Sequence, residues 1–146
     1  MKQETKYDCV LYAFAHLLDI KPSILRDLIP HPGGRKGYLI EEFYPFCLSG
    51  GFTPLRVPVK TSSTDYPLED FYCTYWMELY DEPRNPALLL VCNAISGGWH
   101  CLAKTENGIF DPRDGEYYDR IPSHFNLEEI VFLKQDYNNM TTGEWR

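Results

Sequence analysis

A cysteine at the start of a helix is the residue of this sequence best suited to covalent chemistry. Cys9 follows Asp8, a residue type preferred at helix N-caps, and opens an apolar segment in which Leu11, Phe14 and Leu18 recur at helical spacing. Unpaired backbone N–H groups and the helix dipole favour a thiolate at this position. Cys9 is therefore a candidate nucleophile, although a lone cysteine at a helix start is more often a small buried apolar residue.

Two later residues could form a proton-transfer site with Cys9. His100 follows a glycine-containing stretch at residues 96–98 that we expect to be flexible, and Asp111 ends the next strand-like segment. An imidazole can take up and return a proton, and a carboxylate can hold that imidazole in one orientation. A hairpin with a four-residue loop would place His100 directly opposite Asp111, whereas a tight turn at Asn107 and Gly108 would separate them.

Gln3 lies six residues before Cys9 and could assist the same reaction. Its side-chain amide, together with the backbone N–H of Cys9, could donate hydrogen bonds to the oxyanion of a tetrahedral intermediate. Cys101 should point to the opposite face of its strand from His100 and be structural. Each residue has an ordinary structural explanation by itself, but their joint occurrence predicts nucleophilic catalysis. The remaining histidines are expected at the surface: His16, His31 and His124.

Helical patterns come first along the chain, and strand patterns follow. The periodicity predicts helices over residues 9–19, 22–28 and 39–47, the last kinked at Pro45. Residues 61–85 give no clear pattern. This order predicts an α+β fold in which N-terminal helices pack on a C-terminal antiparallel sheet, and the two parts form the walls of a cleft. The predicted strands are an edge strand at 52–59, then 87–92, 100–104, 108–110 and 129–133.

Length and composition narrow the possible classes of protein. The 146 residues fit one domain spanning residues 1–146, and the net charge of −7 argues against a nucleic-acid partner. Five cysteines without a CxxC pair argue against both a disulfide framework and a zinc site. No apolar run is long enough for membrane insertion, and no secretory signal is evident, so a cytoplasmic location is expected.

At these residues the sequence resembles papain-like cysteine peptidases, most closely the bacteriocin-processing domains that cut leader peptides after a double glycine. The family's N-terminal motif combines a glutamine with a later Asp-Cys pair, and this sequence has Gln3 followed by Asp8 and Cys9. The resemblance covers nearly the whole chain and includes residues 33–57, 86–92 and 111–125. It implies a papain-like fold, thiol protease activity without a cofactor, and catalytic roles for four residues: Gln3, Cys9, His100 and Asp111.

The sequence also departs from that family. Val10 stands where glycine usually follows the cysteine, and the segment between His100 and Asp111 is shorter than usual. In that family the domain commonly lies at the N-terminus of a transporter, whereas no transmembrane segment or Walker sequence is found in this sequence. Cleavage of leader peptides after a double glycine is therefore not assumed for this protein.

The expected reaction is hydrolysis of a peptide or isopeptide bond in a peptide or protein substrate. It would proceed through a thioester and would require neither a metal ion nor an organic cofactor. Two alternatives stay open. The same residues could serve an acyltransferase or deamidase, or the chain could be an inactive pseudo-peptidase whose cleft, lined by Trp99 and Tyr38, binds a peptide.

Overall fold

The structure of the protein, a computed structural model, describes residues 8–29, 37–59, 80 and 85–135. Within these ranges the chain forms three α-helices, a short 3-10 helix and one antiparallel sheet, so the predicted α+β class is confirmed. Gln3 and His31, together with the fifth cysteine, Cys73, lie outside the described residues, as does most of the segment at 61–85. No helix in the described part of the chain is both long and apolar enough to cross a bilayer.

The first two helices lie close to their predicted positions. Helix α1 (Cys9–Leu18) ends at Asp19, whose left-handed backbone (φ 54°) lets the N–H of Ile20 donate to the carbonyl of Ala15 at 3.0 Å. Helix α2 (Pro22–Leu28) begins with its proline in the first turn, where the missing N–H removes no intrahelical hydrogen bond.

The predicted kinked helix over residues 39–47 is wrong. The chain instead forms a 3-10 helix (Ile40–Phe43) followed by α3 (Tyr44–Ser49). Pro45 lies in the first turn of α3, where proline is tolerated, so it marks the start of a helix and not a kink within one.

The six strands form a sheet in the order β1-β6-β2-β3-β4-β5. The predicted edge strand is confirmed, since β1 pairs only with β6 among the described strands. The sequence did not predict β5, which has three residues, and it placed the start of β6 four residues too late. The strands are β1 (Phe52–Pro58), β2 (Ala87–Asn93), β3 (Trp99–Thr105), β4 (Gly108–Asp111), β5 (Glu116–Tyr118) and β6 (Phe125–Gln135).

Neither predicted register of the β3–β4 hairpin is correct. Thr105 pairs with Gly108 and Ala103 with Phe110, which leaves a two-residue turn at Glu106 and Asn107. The hydroxyl of Thr105 accepts a hydrogen bond from the backbone N–H of Asn107 at 3.1 Å. This local bond stabilises the shorter turn, and the registers with a four-residue loop or a turn at Asn107 and Gly108 are not formed.

Apolar side chains pack on both faces of the sheet. Leu88, Cys101 and Ala103 face the helices, while Leu89 and Leu102 face the other way into a second cluster. Because β2 is covered on both faces, its sequence is a continuous apolar run without alternation. Helix α1 packs against β3. The start of α1 therefore lies beside the start of β3, which brings Cys9 to His100.

Candidate active site

His100 and Asp111 are in direct contact, as the sequence predicted. His100 Nε2 lies 2.6 Å from Asp111 Oδ1, and both residues are buried, with 4% and 6% of their surfaces exposed. Continuing the observed register by one residue sets Asp111 beside Leu102, two residues from His100 on the same face. The contact is therefore diagonal across the hairpin, within reach of two polar side chains.

The turn after β4 fixes the carboxylate of Asp111. The backbone N–H of Arg113 donates to Oδ1 at 2.9 Å, and that of Gly115 donates to the Asp111 carbonyl at 2.8 Å. Burial alone would raise the pKa of Asp111, but the hydrogen bonds from His100 and the Arg113 backbone lower it below its ordinary value. Asp111 is therefore an ionised acceptor at neutral pH.

A hydrogen-bonded loop leads into His100, where the sequence had predicted a flexible stretch. The side chain of Asn93 accepts hydrogen bonds from the backbone N–H groups of Ile95 and Ser96, at 2.9 and 3.1 Å. The Asn93 N–H also donates to the carbonyl of Gly98 at 2.8 Å. This loop closes the β2–β3 hairpin, in which Val91 pairs with His100.

Cys9 contacts His100 from the helical side. Both residues line one cavity, and the sulfur is near enough to the imidazole to raise its pKa. Because an ionised carboxylate only accepts hydrogen bonds, the proton facing Asp111 is on Nε2, and Nδ1 is the ring nitrogen available to the sulfur. Burial disfavours the charged imidazole, but the hydrogen bonds and charges of Asp111 and Cys9 outweigh it and raise the pKa of His100 to about 9.

Phe125 packs against the imidazole from the start of β6. The two ring centroids are 5.6 Å apart with an interplanar angle of 28°, and Phe125 is buried. This contact limits rotation of the His100 ring and covers it from solvent. The sequence identified Phe125 only as part of a family-like segment, because no local pattern indicates which histidine a phenylalanine 25 positions later will cover.

Two other cysteines are poor nucleophiles. Burial raises the pKa of Cys47 to about 11, and burial together with the charge of Cys9 raises that of Cys101 well above its ordinary value. Cys101 is fully buried in the cluster beneath the helices, on the face opposite Leu102, which agrees with a packing role. Cys92 is half-buried and its sulfur lies 3.4 Å from the carbonyl oxygen of Gly97.

A cavity of about 330 Å³ opens beside Cys9 and His100. Trp99 and Tyr38 line it, as the sequence predicted for a cleft, and so does Val10. The sequence did not point to the polar end of this cavity, formed by Glu41 and Arg56. These two residues are 15 positions apart and approach each other only through folding.

Asp8 lies at the N-cap position of α1, but its side chain makes no capping hydrogen bond there. It forms an ion pair with Arg26 of α2 at 3.6 Å instead. The interaction ties the start of α1, and so Cys9, to the second helix.

The other histidines differ from one another. His124 is exposed, as predicted. His16 is partly buried: its ring stacks on Phe110 at 3.8 Å between centroids, and its Nε2 lies 2.5 Å from the hydroxyl of Tyr117. Burial lowers the pKa of His16. His16 therefore links α1 to the β4–β5 hairpin.

No protein-family model matches this chain, and a comparison with curated proteins finds no match. No group of three or more histidine, cysteine, aspartate or glutamate side chains that could hold a metal ion occurs among the described residues. A functional assignment therefore depends on the geometry of Cys9, His100 and Asp111.

Proposed function

We propose that the chain is a papain-like cysteine peptidase, a thiol hydrolase that cleaves a peptide or isopeptide bond. The observation that carries the proposal is the buried 2.6 Å contact of His100 with Asp111, together with the influence of Cys9 on the same imidazole. In this proposal Cys9 is the nucleophile, His100 is the base and Asp111 orients the base, which are the three roles that covalent catalysis by a thiol requires.

The reaction begins with the sulfur of Cys9. The raised pKa of His100 favours an imidazolium at neutral pH, and that cation stabilises a neighbouring thiolate. The thiolate attacks the substrate carbonyl carbon, forming an S–C bond and moving an electron pair onto the carbonyl oxygen. His100 then donates its Nδ1 proton to the leaving amine, and the C–N bond breaks to give a thioester.

Hydrolysis of the thioester returns the enzyme to its starting state. Neutral His100 removes a proton from a water molecule, whose oxygen attacks the thioester carbonyl. The S–C bond breaks, the carboxylic product leaves, and Cys9 is again a thiolate beside an imidazolium. Asp111 keeps the Nε2 proton directed towards itself in both steps.

The oxyanion needs donors near Cys9. The backbone N–H of Cys9 belongs to the first turn of α1, where N–H groups have no partner within the helix. We propose this group as one donor and the side-chain amide of Gln3 as the other.

A papain-like fold is consistent with the arrangement of the elements. The nucleophile begins a helix of the helical layer, and the base and carboxylate belong to adjacent antiparallel strands. The cysteines Cys9, Cys47, Cys92 and Cys101 are free thiols, which suits a cytoplasmic, reducing location. The acidic chain argues for a peptide or protein substrate over a nucleic acid.

Alkylation with iodoacetamide at pH 7 tests the nucleophile. We expect Cys9 to react at least tenfold faster than Cys47 and Cys101, because burial raises the pKa of both of those thiols. Mass spectrometry of timed digests measures each rate. A His100→Ala variant should lose most of the excess reactivity of Cys9, while His124→Ala, an exposed control, should keep it.

The alkylation result also separates the proposal from a pseudo-peptidase that only binds peptides. Such a protein would have no activated thiol, so equal labelling of Cys9 and Cys92, or first labelling of another cysteine, would remove the basis for catalysis. Acyl transfer and deamidation use the same thioester. Mass analysis of the released product, with and without an added amine, distinguishes them from hydrolysis.

A further inference from the structure

The cavity beside Cys9 has apolar walls that extend into solvent. Leu39, on the helical side, is 48% exposed, and Trp99, at the start of β3, is 66% exposed. Leu90 and Tyr38 continue the apolar lining. Exposed large apolar side chains on both sides of one cavity favour burial of an apolar substrate side chain, because binding removes both walls from water.

The polar end of the cavity contains an arginine that is already occupied. Arg56 donates to both carboxylate oxygens of Glu129 through Nε and Nη2 and to Glu41 through Nη1. Its Nη1 also lies 3.4 Å from the hydroxyl of Tyr44. Binding a substrate carboxylate would require the guanidinium to give up one of these acceptors. Arg56 is therefore poorly suited to recognise an acidic side chain.

The charges at this end sum to a negative value. The two carboxylates of Glu41 and Glu129 surround one guanidinium, which leaves one negative charge. The hydrogen bond from Arg56 lowers the pKa of Glu41, so that carboxylate is ionised at neutral pH, and half of its side-chain surface is exposed. Near the reaction centre, the imidazolium of His100 is already paired with the ionised carboxylate of Asp111. Among the described lining residues, no further side chain is charged.

We infer that the cleft selects peptides that carry a lysine or arginine side chain next to an apolar one, with Glu41 as a specificity-determining residue. This inference rests on the proposed function. The apolar side chain occupies the space between Leu39 and Trp99, and the cation lies near the exposed carboxylate of Glu41. An acidic side chain in the same place meets a repulsive charge.

Matched peptidyl chloromethyl ketones test the inference, because the Cys9 sulfur displaces chloride only when the peptide part is bound. The probes are acetylated dipeptides with lysine, glutamine or glutamate beside leucine, made in both residue orders. In at least one of the two residue orders, we expect the lysine probe to modify Cys9 about three- to fivefold faster than the glutamine probe. An ion pair exposed to solvent strengthens binding by roughly this factor. The glutamate probe should be slowest.

Two variants assign the selectivity to one carboxylate. Glu41→Gln should reduce the lysine-to-glutamate rate ratio to near one, and raising the salt concentration should reduce it in the wild-type protein. Glu116→Gln removes an exposed carboxylate that is not part of the cavity lining and should keep the wild-type ratio. A faster glutamate probe, or a ratio that Glu41→Gln leaves unchanged, would overturn the inference.

Iodoacetamide, which has no peptide part, separates this result from a failure of the proposed function. Rapid labelling of Cys9 by iodoacetamide without any preference among the peptidyl probes would contradict the substrate class and leave the nucleophile in place. Absence of Cys9 labelling by every reagent would contradict the nucleophile itself, and the inference would fall with it.

Discussion

One carboxylate oxygen of Asp111 supports two contacts at the candidate site. Oδ1 accepts from His100 Nε2 at 2.6 Å and from the Arg113 backbone N–H at 2.9 Å. The first contact sets the orientation and tautomer of the imidazole, and the second fixes the carboxylate through the following turn. Removal of this one side chain should therefore affect both the reaction and the stability of the fold.

We expect Asp111→Ala to lower turnover by about 10²- to 10⁴-fold, because the imidazole loses its preferred tautomer. It should also lower the free energy of unfolding by about 1–3 kcal/mol, because a buried imidazole N–H loses its acceptor. Steady-state kinetics and urea denaturation measure the two effects.

Two further variants control that experiment. Asp111→Asn keeps an oxygen acceptor and should recover part of the turnover. Asp114→Ala removes an exposed carboxylate that accepts from the Glu116 N–H at 2.9 Å, and it should leave turnover within about twofold. Wild-type turnover in a folded Asp111→Ala protein would exclude Asp111 from the site.

Pairs of elements, and not single elements, hold the candidate residues together. Helix α1 carries Cys9, and its His16 stacks on Phe110, the residue before Asp111 in β4. Phe110 in turn pairs with Tyr117 of β5, whose hydroxyl contacts His16. The helix that carries Cys9 and the strand that carries Asp111 are thus joined by packing two turns away from the sulfur.

The β3–β4 hairpin depends on Gly108, the first residue after its two-residue turn. Gly108 has φ +124°, a conformation that side chains rarely adopt, and a Cβ there would lie 2.8 Å from the backbone oxygen of Tyr118. We expect Gly108→Ala to lower the free energy of unfolding by about 1–3 kcal/mol. Because the hairpin sets the His100–Asp111 contact, turnover should fall as well.

Gly98→Ala is the matched control for that substitution. A Cβ at Gly98 would approach only the Ser96 side-chain oxygen, at 3.4 Å, so we expect a smaller loss of stability. Urea denaturation of both variants makes the comparison. If Gly108→Ala were as stable as the wild-type protein, the described turn would be incorrect.

For the whole molecule, the interactions of His100 with Asp111 and Cys9 link stability to pH, because they outweigh burial and favour the charged imidazole. Its pKa rises from an ordinary 6.5 to about 9 in the folded state. Between these values the folded protein keeps a proton that the unfolded chain has released, so increasing pH favours unfolding. The stabilisation from His100 is fully present below about pH 6.5 and is lost as the pH rises through 9.

We therefore expect the free energy of unfolding to fall by about 2–3 kcal/mol between pH 6.5 and 9.5. Cys9→Ala removes one of the groups that raise the pKa of His100, so its loss should be smaller and end at a lower pH. Cys92→Ala removes a thiol that does not contribute to the raised pKa of His100, and it should follow the wild-type curve. Urea denaturation across this pH range tests the sign, and a stability that increased with pH would contradict the His100 assignment.

The sequence by itself determined the features that depend on neighbouring residues. The spacing of apolar residues in α1 and the proline at the start of α2 act over one or two helical turns. The continuous apolar run of β2 likewise marks a strand covered on both faces. The types of residue needed for catalysis, Cys9, His100 and Asp111, could be identified in the same way, because their chemistry belongs to the side chains.

Only the tertiary structure decided which distant side chains meet. Arg56 reaches Glu129 across 73 positions, and His16 reaches Tyr117 across 101. The hairpin register could not be predicted from the sequence. Alternation along a strand fixes the face on which each side chain lies, but several turn lengths place Asp111 on the same face as His100. The turn that forms depends on the hydrogen bond of the Thr105 side chain and on pairing with β5. The pairing with β5 exists only in the assembled sheet.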